Sequence, residues 1–366
     1  NFVDTVTWSG SVNQASRQIE ISVLNSPIDK NIPDINIDLG DRILFYEDGK
    51  LLINAMVYSR ERQSEQGTVT YSGYDDLKRL CESDGKYNFK NTTPERITKA
   101  VCGDIKISVG KIVETKVPIK KLIIDSEKLY TVIMKAYTKA FQANGKKYMP
   151  IMVNQKLHVV EKGEIVENLL SDTVNITNST YSESIDGMVN KIKIFDDKGK
   201  QIGEVKDDSN IKKFGIFQGI YAKEEGVNAT TAAKNMLEGI QKSATVEAIG
   251  NIDCISGYGI KIKDTLTKLT GVFWIDNDSH TWENNSHTMS LGLTFQNLMD
   301  IQEDGNTSMK TNKKPKTNNN DTKVYISSAS AKYHSYATCS GMKNCTEVTK
   351  KEALKKGKGE CTKCWR

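Results

Sequence analysis

The sequence is poor in several features that would place it in a familiar class of protein. No run approaches the roughly eighteen apolar residues that cross a membrane as a helix, so we expect no membrane span. The N-terminal segment NFVDTVTWSG lacks the basic and apolar regions of a secretory signal peptide. The 7 cysteines, an odd number without framework spacing, argue against a secreted disulfide scaffold and for synthesis in a reducing compartment.

The usual motifs of catalytic sites are also missing. The sequence contains no phosphate-binding G-x4-G-K-[ST] loop, no H-E-x-x-H zinc motif and no G-x-S-x-G nucleophile elbow. Only 4 histidines are available as general bases, and one of them, His158, lies in a predicted strand, KLHVVE. We therefore predict that the chain is not an enzyme and has a structural or assembly role.

One segment rich in acidic residues and histidine, FWIDNDSHTWENNSHTMSL, is the exception. It contains side chains that could bind a metal or transfer protons, namely Asp276, Asp278, His280, Glu283 and His287. The segment lies between an apolar strand and an alternating strand, and Asn, Asp and Ser favour turns. We therefore interpret it as a long hairpin loop. A nucleophilic pair of Cys254 and His280 has even less support, because nothing in the sequence brings the two together.

The body of the chain is predicted to be mostly β-structure with a few helices. Apolar and polar residues alternate at 19–23 and most clearly at 289–295, which is typical of half-buried antiparallel strands. Asp48-Gly49 and the segment DDKG at 196–199 predict hairpin turns. Three helices are expected: one capped by Thr93 with Pro94 at its first position, one over about 126–144, and one following Asn228.

These elements predict an α+β fold that is mostly β. We expect a first small antiparallel β-barrel at residues 1–85, a helix-containing insert at 86–165 and a second β-barrel at 166–302. Residues 303–322, EDGNTSMKTNKKPKTNNNDT, are polar and predict a flexible linker with a reach of roughly 25 Å. A small C-terminal domain is expected at 323–366.

The C-terminal domain carries the clearest motif in the chain. His334 and Cys339 form an H-x4-C pair, and Cys361 and Cys364 form a C-x2-C pair. Two such pairs supply the four ligands of a tetrahedral Zn²⁺ site, with Cys345 as the substitute if one ligand is wrong. Roughly 40 residues bury too little apolar surface to fold alone, so we expect one stabilising Zn²⁺ per chain. The pattern resembles the small Ada-like zinc modules, through Tyr333-His334, Cys339, Glu352-Ala353, Gly357, Cys361 and Cys364.

Charge is distributed unevenly along the chain. Residues 323–366 contain ten Lys or Arg and three Glu, whereas the rest is nearly neutral, with 41 basic and 43 acidic residues. A basic tail is either a solvated surface or a contact for an anionic partner. The alternative function is therefore a zinc-containing DNA-binding or DNA-processing protein, although the neutral body argues against nucleic acid as a partner.

Six stretches spread over residues 1–300 are distinctive, and the zinc motif lies outside them. They are VTWSGSVNQASRQIEISVLNSP, DINIDLGDRILFYEDGK, YSGYDDLKRLCESDGKYNFKNTTPERITKAVC, GKKYMP, LHVVEKGE and GVFWIDNDSHTWENNSHTMSLGLTF. Together they resemble the XkdQ/YqbQ proteins of phages and phage-derived contractile particles, which are relatives of the late-control D proteins.

This resemblance implies a structural hub in the baseplate of a contractile phage tail or of a phage-tail-like bacteriocin. Such a hub is a homotrimer in which two barrels per subunit form a pseudo-six-fold ring. The ring joins the hexameric tail tube protein to the three-fold central spike protein, and baseplate wedge proteins and the tape-measure protein are further expected partners. The resemblance also implies synthesis in the bacterial cytoplasm, incorporation into the particle and no catalytic residues.

Overall fold

The computed structural model describes residues 2–25, 35–63, 67–223, 228–302, 323–327, 332–334, 345–356 and 358–361. The chain divides into two compact units, Asn1–Met309 and Lys310–Arg366. The structure is mostly β with largely antiparallel sheets, as the sequence predicts. No helix in these described ranges is long and apolar enough to cross a membrane. The predicted linker at 303–322 lies outside them.

The first β-region is made of strands paired in the order β1-β2-β5-β4-β3. Their bounds are β1 (Val3–Ser11), β2 (Gln14–Leu24), β3 (Arg42–Glu47), β4 (Lys50–Gln63) and β5 (Thr68–Tyr74). Successive side chains of a strand point to opposite faces, and one face buries residues such as Ile19, Val57 and Tyr71. The predicted turn at Asp48-Gly49 is confirmed, since the φ angles are 48° and 76°, as in a tight two-residue hairpin.

The insert has a core of its own around one helix. Its elements are α1 (Leu77–Glu82), β6 (Asp84–Thr92), α2 (Pro94–Asp104), β7 (Val109–Ile112), β8 (Ile119–Lys128), α3 (Leu129–Asn144), β9 (Tyr148–Val153) and β10 (Lys156–Glu161). β6 pairs with β8, and β7, β10 and β9 form a separate sheet. Helix α3 starts later than predicted, because β8 continues to Lys128 by pairing with Asp84. Leu77 and Leu80 of α1 belong to this core, so the insert begins before residue 86.

The second β-region contains a small α/β subdomain that the sequence did not predict. The elements are β11 (Ile165–Ser171), β12 (Ile176–Ser184), β13 (Lys191–Phe195), β14 (Gln201–Lys206), α4 (Asp208–Phe214), β15 (Gln218–Ala222), α5 (Ala229–Lys234), β16 (Gln241–Ile249), β17 (Gly259–Lys263), β18 (Thr270–Glu283) and β19 (Ser286–Thr294). β12 and β16 pair with each other, and the subdomain of β13, β14, β15, α4 and α5 lies between them in the chain. Asn228 caps α5 as predicted, since its Oδ1 accepts the Thr231 N–H at 3.1 Å.

The two β-regions share one eleven-stranded sheet, with the main path β12-β16-β19-β18-β1-β2-β5-β4-β3. Strand β18 joins them. Its residues 270–274 pair with β17, which in turn pairs with β11, and its residues 277–283 pair with β1. The opposite edge of β18 pairs with β19 along most of its length. A single strand therefore connects two parts that the sequence predicts as separate barrels.

The segment interpreted as a long hairpin loop is a regular part of this sheet, so that interpretation is wrong. β18 and β19 are joined by only two residues, Asn284 and Asn285, which have φ angles of 51° and 60°. Asn adopts this left-handed conformation more readily than most residues, which suits a tight turn. The polar side chains of the segment lie on the strands.

The C-terminal unit is small. Its described elements are β20 (Lys323–Ile326), β21 (Lys332–Tyr333), β22 (Thr346–Thr349), α6 (Lys350–Lys355) and β23 (Gly359–Glu360). β20 pairs with β22, and β21 pairs with β23. Val324, Ile326, Tyr333 and Ala353 form its core.

Candidate functional site

The first β-region curves back so that β3 meets β18 through side chains. The rings of Phe45 and Trp282 meet edge to face, with centroids 4.7 Å apart. Trp282 Nε1 donates a hydrogen bond to Glu47 Oε1 at 3.1 Å. Strands β1 to β5 and residues 277–283 of β18 thus surround one core. We call these strands the first half of the sheet.

The second half of the sheet surrounds another core in a similar way. β11, β12, β16, β17, β19 and the first part of β18 contribute to it, through residues such as Leu170, Val246 and Ile275. The hydroxyl of Ser179 on β12 donates to the carboxylate of Asp264, which directly follows β17. These two halves share β18, so the chain does not divide between them at the predicted bounds of the two barrels.

An ion pair fastens the first β-region to β18 at the junction of the halves. Arg17 on β2 binds Asp278 through both terminal nitrogens, with Nη1 3.0 Å from Oδ1. The Asp278 side chain is fully buried, and its Oδ1 also accepts the Ser256 N–H at 2.6 Å. The Arg17 guanidinium lies 3.9 Å from the centroid of the Trp8 ring. Because a buried carboxylate needs a cation and hydrogen-bond donors, this arrangement holds the junction in one geometry.

Two imidazoles continue the junction as a chain of hydrogen bonds. A backbone carbonyl only accepts, so His280 Nε2, which lies 3.1 Å from the Cys254 carbonyl oxygen, carries the proton. His280 Nδ1 then accepts from His287 Nε2 at 3.1 Å, while His287 Nδ1 lies 3.1 Å from Glu47 Oε1. Burial lowers the pKa of His280 to about 4. Burial also lowers the pKa of His287, and the Glu47 carboxylate opposes that shift.

The geometry of this cluster does not support a nucleophilic pair of Cys254 and His280. Burial raises the pKa of the Cys254 thiol to about 12, so the thiol keeps its proton at neutral pH and is a poor nucleophile. The contact of His280 with that residue is to the backbone carbonyl oxygen. Cys254 and His280 are thus brought together by the fold, but as a hydrogen-bonded support for the sheet.

The cluster contains three of the five residues singled out in the sequence. Asp278, His280 and His287 lie together, whereas Glu283 is exposed at the end of β18 and Asp276 lies at an irregularity of that strand. Nothing in the sequence pointed to their partners Arg17 and Glu47, which lie more than two hundred residues away in the chain.

A cavity of about 580 Å³ adjoins the junction, where the two halves and the insert meet. Asp75 is buried in its wall and accepts the N–H groups of Arg17 and Leu77 at 3.2 and 3.0 Å. Burial raises the pKa of Asp75 to about 7 and lowers the pKa of Lys162, another wall residue, to about 8. Tyr130 on α3 donates to Asp300 at 3.0 Å, which ties the insert to the chain after β19.

The predicted zinc ligands lie in the C-terminal unit, and the structure describes two of them. His334 and Cys361 are both buried, at 3 % exposure each. The Cys361 N–H donates to the Tyr333 carbonyl at 3.1 Å, so the chain containing Cys361 passes beside His334. Cys339 and Cys364 lie outside the described residues. An imidazole and a thiol are side chains that bind Zn²⁺, and the role of His334 and Cys361 as ligands stays a prediction.

Comparisons with known proteins give consistent relatives for the larger unit. The chain is 27 % identical over 305 residues to the uncharacterized protein YqbQ of Bacillus subtilis, covering 80 % of this chain and 92 % of that one. It is 25 % identical over 307 residues to the phage-like element PBSX protein XkdQ of the same organism, covering 81 % and 93 %.

Solved structures share the fold at low sequence identity. The 43 kDa tail protein of prophage MuSo2 from Shewanella oneidensis has a TM-score of 0.62 at 14 % identity, covering 82 % of this chain and 95 % of that one. A tail protein of Neisseria meningitidis has a TM-score of 0.55 at 14 % identity, covering 80 % and 91 %. The family described as YQBQ-like matches residues 6–294, which include both halves of the sheet and the insert. The chain belongs to the YQBQ-like family.

Proposed function

We propose that this chain is the hub subunit of a phage or phage-tail-like baseplate, a homotrimeric adaptor between the hexameric tail tube and the three-fold central spike. The observation that carries the proposal is the pair of curved halves sharing β18. Three copies would place six β-units of similar build around one axis, which suits a six-fold partner on one side and a three-fold partner on the other.

The relatives and the junction support a structural role in the particle. XkdQ is named as a protein of a phage-like element, and two solved structures with this fold are named as tail proteins. The Arg17–Asp278 pair and the histidine chain lie at the junction of the two halves, and burial keeps the Cys254 thiol protonated.

The C-terminal unit is proposed to be an accessory zinc module. His334, Cys339, Cys361 and Cys364 would hold one Zn²⁺, whose charge and tetrahedral bonds would stabilise a fold with little apolar core. Its basic composition and position favour contact with the spike, with the tape-measure protein or with a wedge protein near the tail tip.

Light scattering of the purified full-length chain, combined with metal analysis, tests the proposal. We expect a trimer with one zinc per chain, and a ring with a central channel in electron microscopy. A chain that stays monomeric within the assembled particle would refute the hub role. Normal particle assembly after deletion of residues 306–366 would remove the assembly role of the zinc module while leaving the hub intact.

A further inference from the structure

Two neighbouring turns at one end of the second half each expose an aliphatic side chain. The turn between β11 and β12 carries Val174, which is 74 % exposed, and the turn between β17 and β18 carries Leu266, which is 89 % exposed. These are the two most exposed large apolar side chains among the residues that the structure describes. We call the pair the apolar knob.

The knob is held in place by a dense set of hydrogen bonds. The Thr265 N–H donates to Asp172 Oδ2 at 2.8 Å, which joins the two turns directly. The Leu266 N–H donates to Asp264 Oδ1 at 3.1 Å. The other oxygen of Asp264 accepts from the hydroxyls of Ser179 and Thr267. Because the turns are already ordered, little conformational entropy remains to be lost when the knob binds a partner.

The exposed charges around the knob and around the cavity differ in net sign, because Asp172 beside the knob and Lys50 at the cavity are each outnumbered by charges of the other sign. Lys263 and Lys268 are exposed beside the knob. The cavity has apolar wall residues such as Leu77 and Met149, while Glu164 and Glu167 are exposed at its rim. A volume of about 580 Å³ falls within the range that accommodates sizeable ligand groups.

We propose that the apolar knob of one copy inserts into the cavity of the next copy, with Lys263 and Lys268 facing the carboxylates at the cavity rim. This inference rests on the proposed trimer and names its contact. A three-fold ring requires a heterologous interface, in which each copy offers two different and complementary surfaces. The knob is convex and apolar, the cavity is concave with both apolar and charged wall residues, and the exposed charges beside them differ in net sign.

Substitutions at the knob test the contact in the full-length protein. Leu266→Asp and Val174→Asp should each weaken trimer formation at least about 10-fold, because each loses a buried aliphatic contact and buries a charge. Leu39→Asp is the matched control, since Leu39 is also an exposed leucine, at 63 %, but lies in the first half. Light scattering against concentration measures the dissociation, and circular dichroism checks that each variant is folded. Trimers of unchanged affinity in both knob variants, or equal weakening by the control, would overturn the contact.

A disulfide cross-link gives a second readout that does not depend on loss of assembly. The double variant Leu266→Cys with Val153→Cys, the latter at the cavity wall, should form covalently linked trimers under mild oxidation. Each single variant reports the background from the native cysteines. A wild-type chain that is monomeric at every soluble concentration would refute the trimer itself. A wild-type trimer without a cross-link specific to the double variant would refute only the knob contact.

Discussion

Replacing Asp75 by asparagine and His280 by glutamine is expected to change the pH dependence of stability in opposite directions. Burial raises the pKa of Asp75 from 3.8 to about 7, so the folded chain keeps a proton that the unfolded chain releases. Burial lowers the pKa of His280 from 6.5 to about 4, so between these pH values His280 is neutral in the folded chain and protonated in the unfolded chain. The two groups therefore exchange protons in opposite senses on unfolding.

The magnitudes follow from linkage, at about 1.4 kcal/mol for each unit of pKa difference. The stability contributed by protonated Asp75 is complete below pH 3.8 and is lost as the pH rises through about 7, a change of about 4 kcal/mol. The stability contributed by neutral His280 is complete above pH 6.5 and is lost as the pH falls through about 4, a change of about 3 kcal/mol. Between these limits the two slopes nearly cancel in the wild type.

Urea unfolding between about pH 4 and 6.5, followed by tryptophan fluorescence, to which Trp8 and Trp282 at the junction contribute, measures both slopes. Relative to the wild type, Asp75→Asn should gain about 3 kcal/mol of stability across this range as the pH rises, because only the His280 slope remains. His280→Gln should lose a similar amount over the same range. Ionisable groups that interact with neither Asp75 nor His280 cancel in this comparison. Parallel pH profiles for the three proteins would refute the assignment of these protonation states.

Three further perturbations have defined outcomes. Arg17→Met leaves its buried carboxylate partner without a cation and should lower the free energy of unfolding, measured by urea titration, by about 3–5 kcal/mol. The control Lys50→Met breaks an exposed ion pair and should lower it by less than about 1 kcal/mol. Gly250→Ala places a Cβ 2.1 Å from the imidazole of His287 and should lower the free energy of unfolding by about 1–3 kcal/mol. In the control Gly103→Ala the new Cβ meets nothing within 4 Å, so the thermal midpoint should stay unchanged or rise. Cys361→Ser should abolish the zinc content measured by mass spectrometry without altering the unfolding of the larger unit, and retention of stoichiometric zinc would exclude Cys361 as a ligand.

Local chemistry accounts for the parts of the fold that the sequence predicted well. The tight turn at Asp48-Gly49, the helix that starts at Pro94 and the alternating strand near Leu291 each depend on a few neighbouring residues. Such signals are readable because turn, cap and period preferences act over only a few positions. In the subdomain between β12 and β16, local signals at DDKG and Asn228 predicted a turn and a helix, but nothing in the sequence showed that these short elements pack mainly on one another.

The junction could not be predicted for the opposite reason. Asp278 and His280 have the composition of a loop, and they are buried in a strand only because Arg17 neutralises the carboxylate and Glu47 ends the imidazole chain. Those partners come from β2 and β3, at the other end of the chain. The sequence does not show whether a distant residue will form a hydrogen bond or an ion pair with a given polar side chain. The burial of such groups is therefore visible only in the folded chain.

One irregularity in β18 explains how a single strand can serve two cores. Pairing with β19 shifts between Ile275 and Asn277, which leaves Asp276 as an extra residue. Side chains alternate between the two faces of a strand. The extra residue after Ile275 therefore moves every later side chain to the opposite face from the one it would otherwise occupy. Asp278 and His280 are thereby buried on the face that also buries Ile275. The shift lies between the segment paired with β17 and the segment paired with β1, where the bend of a bulge would direct the strand from one curved half into the other.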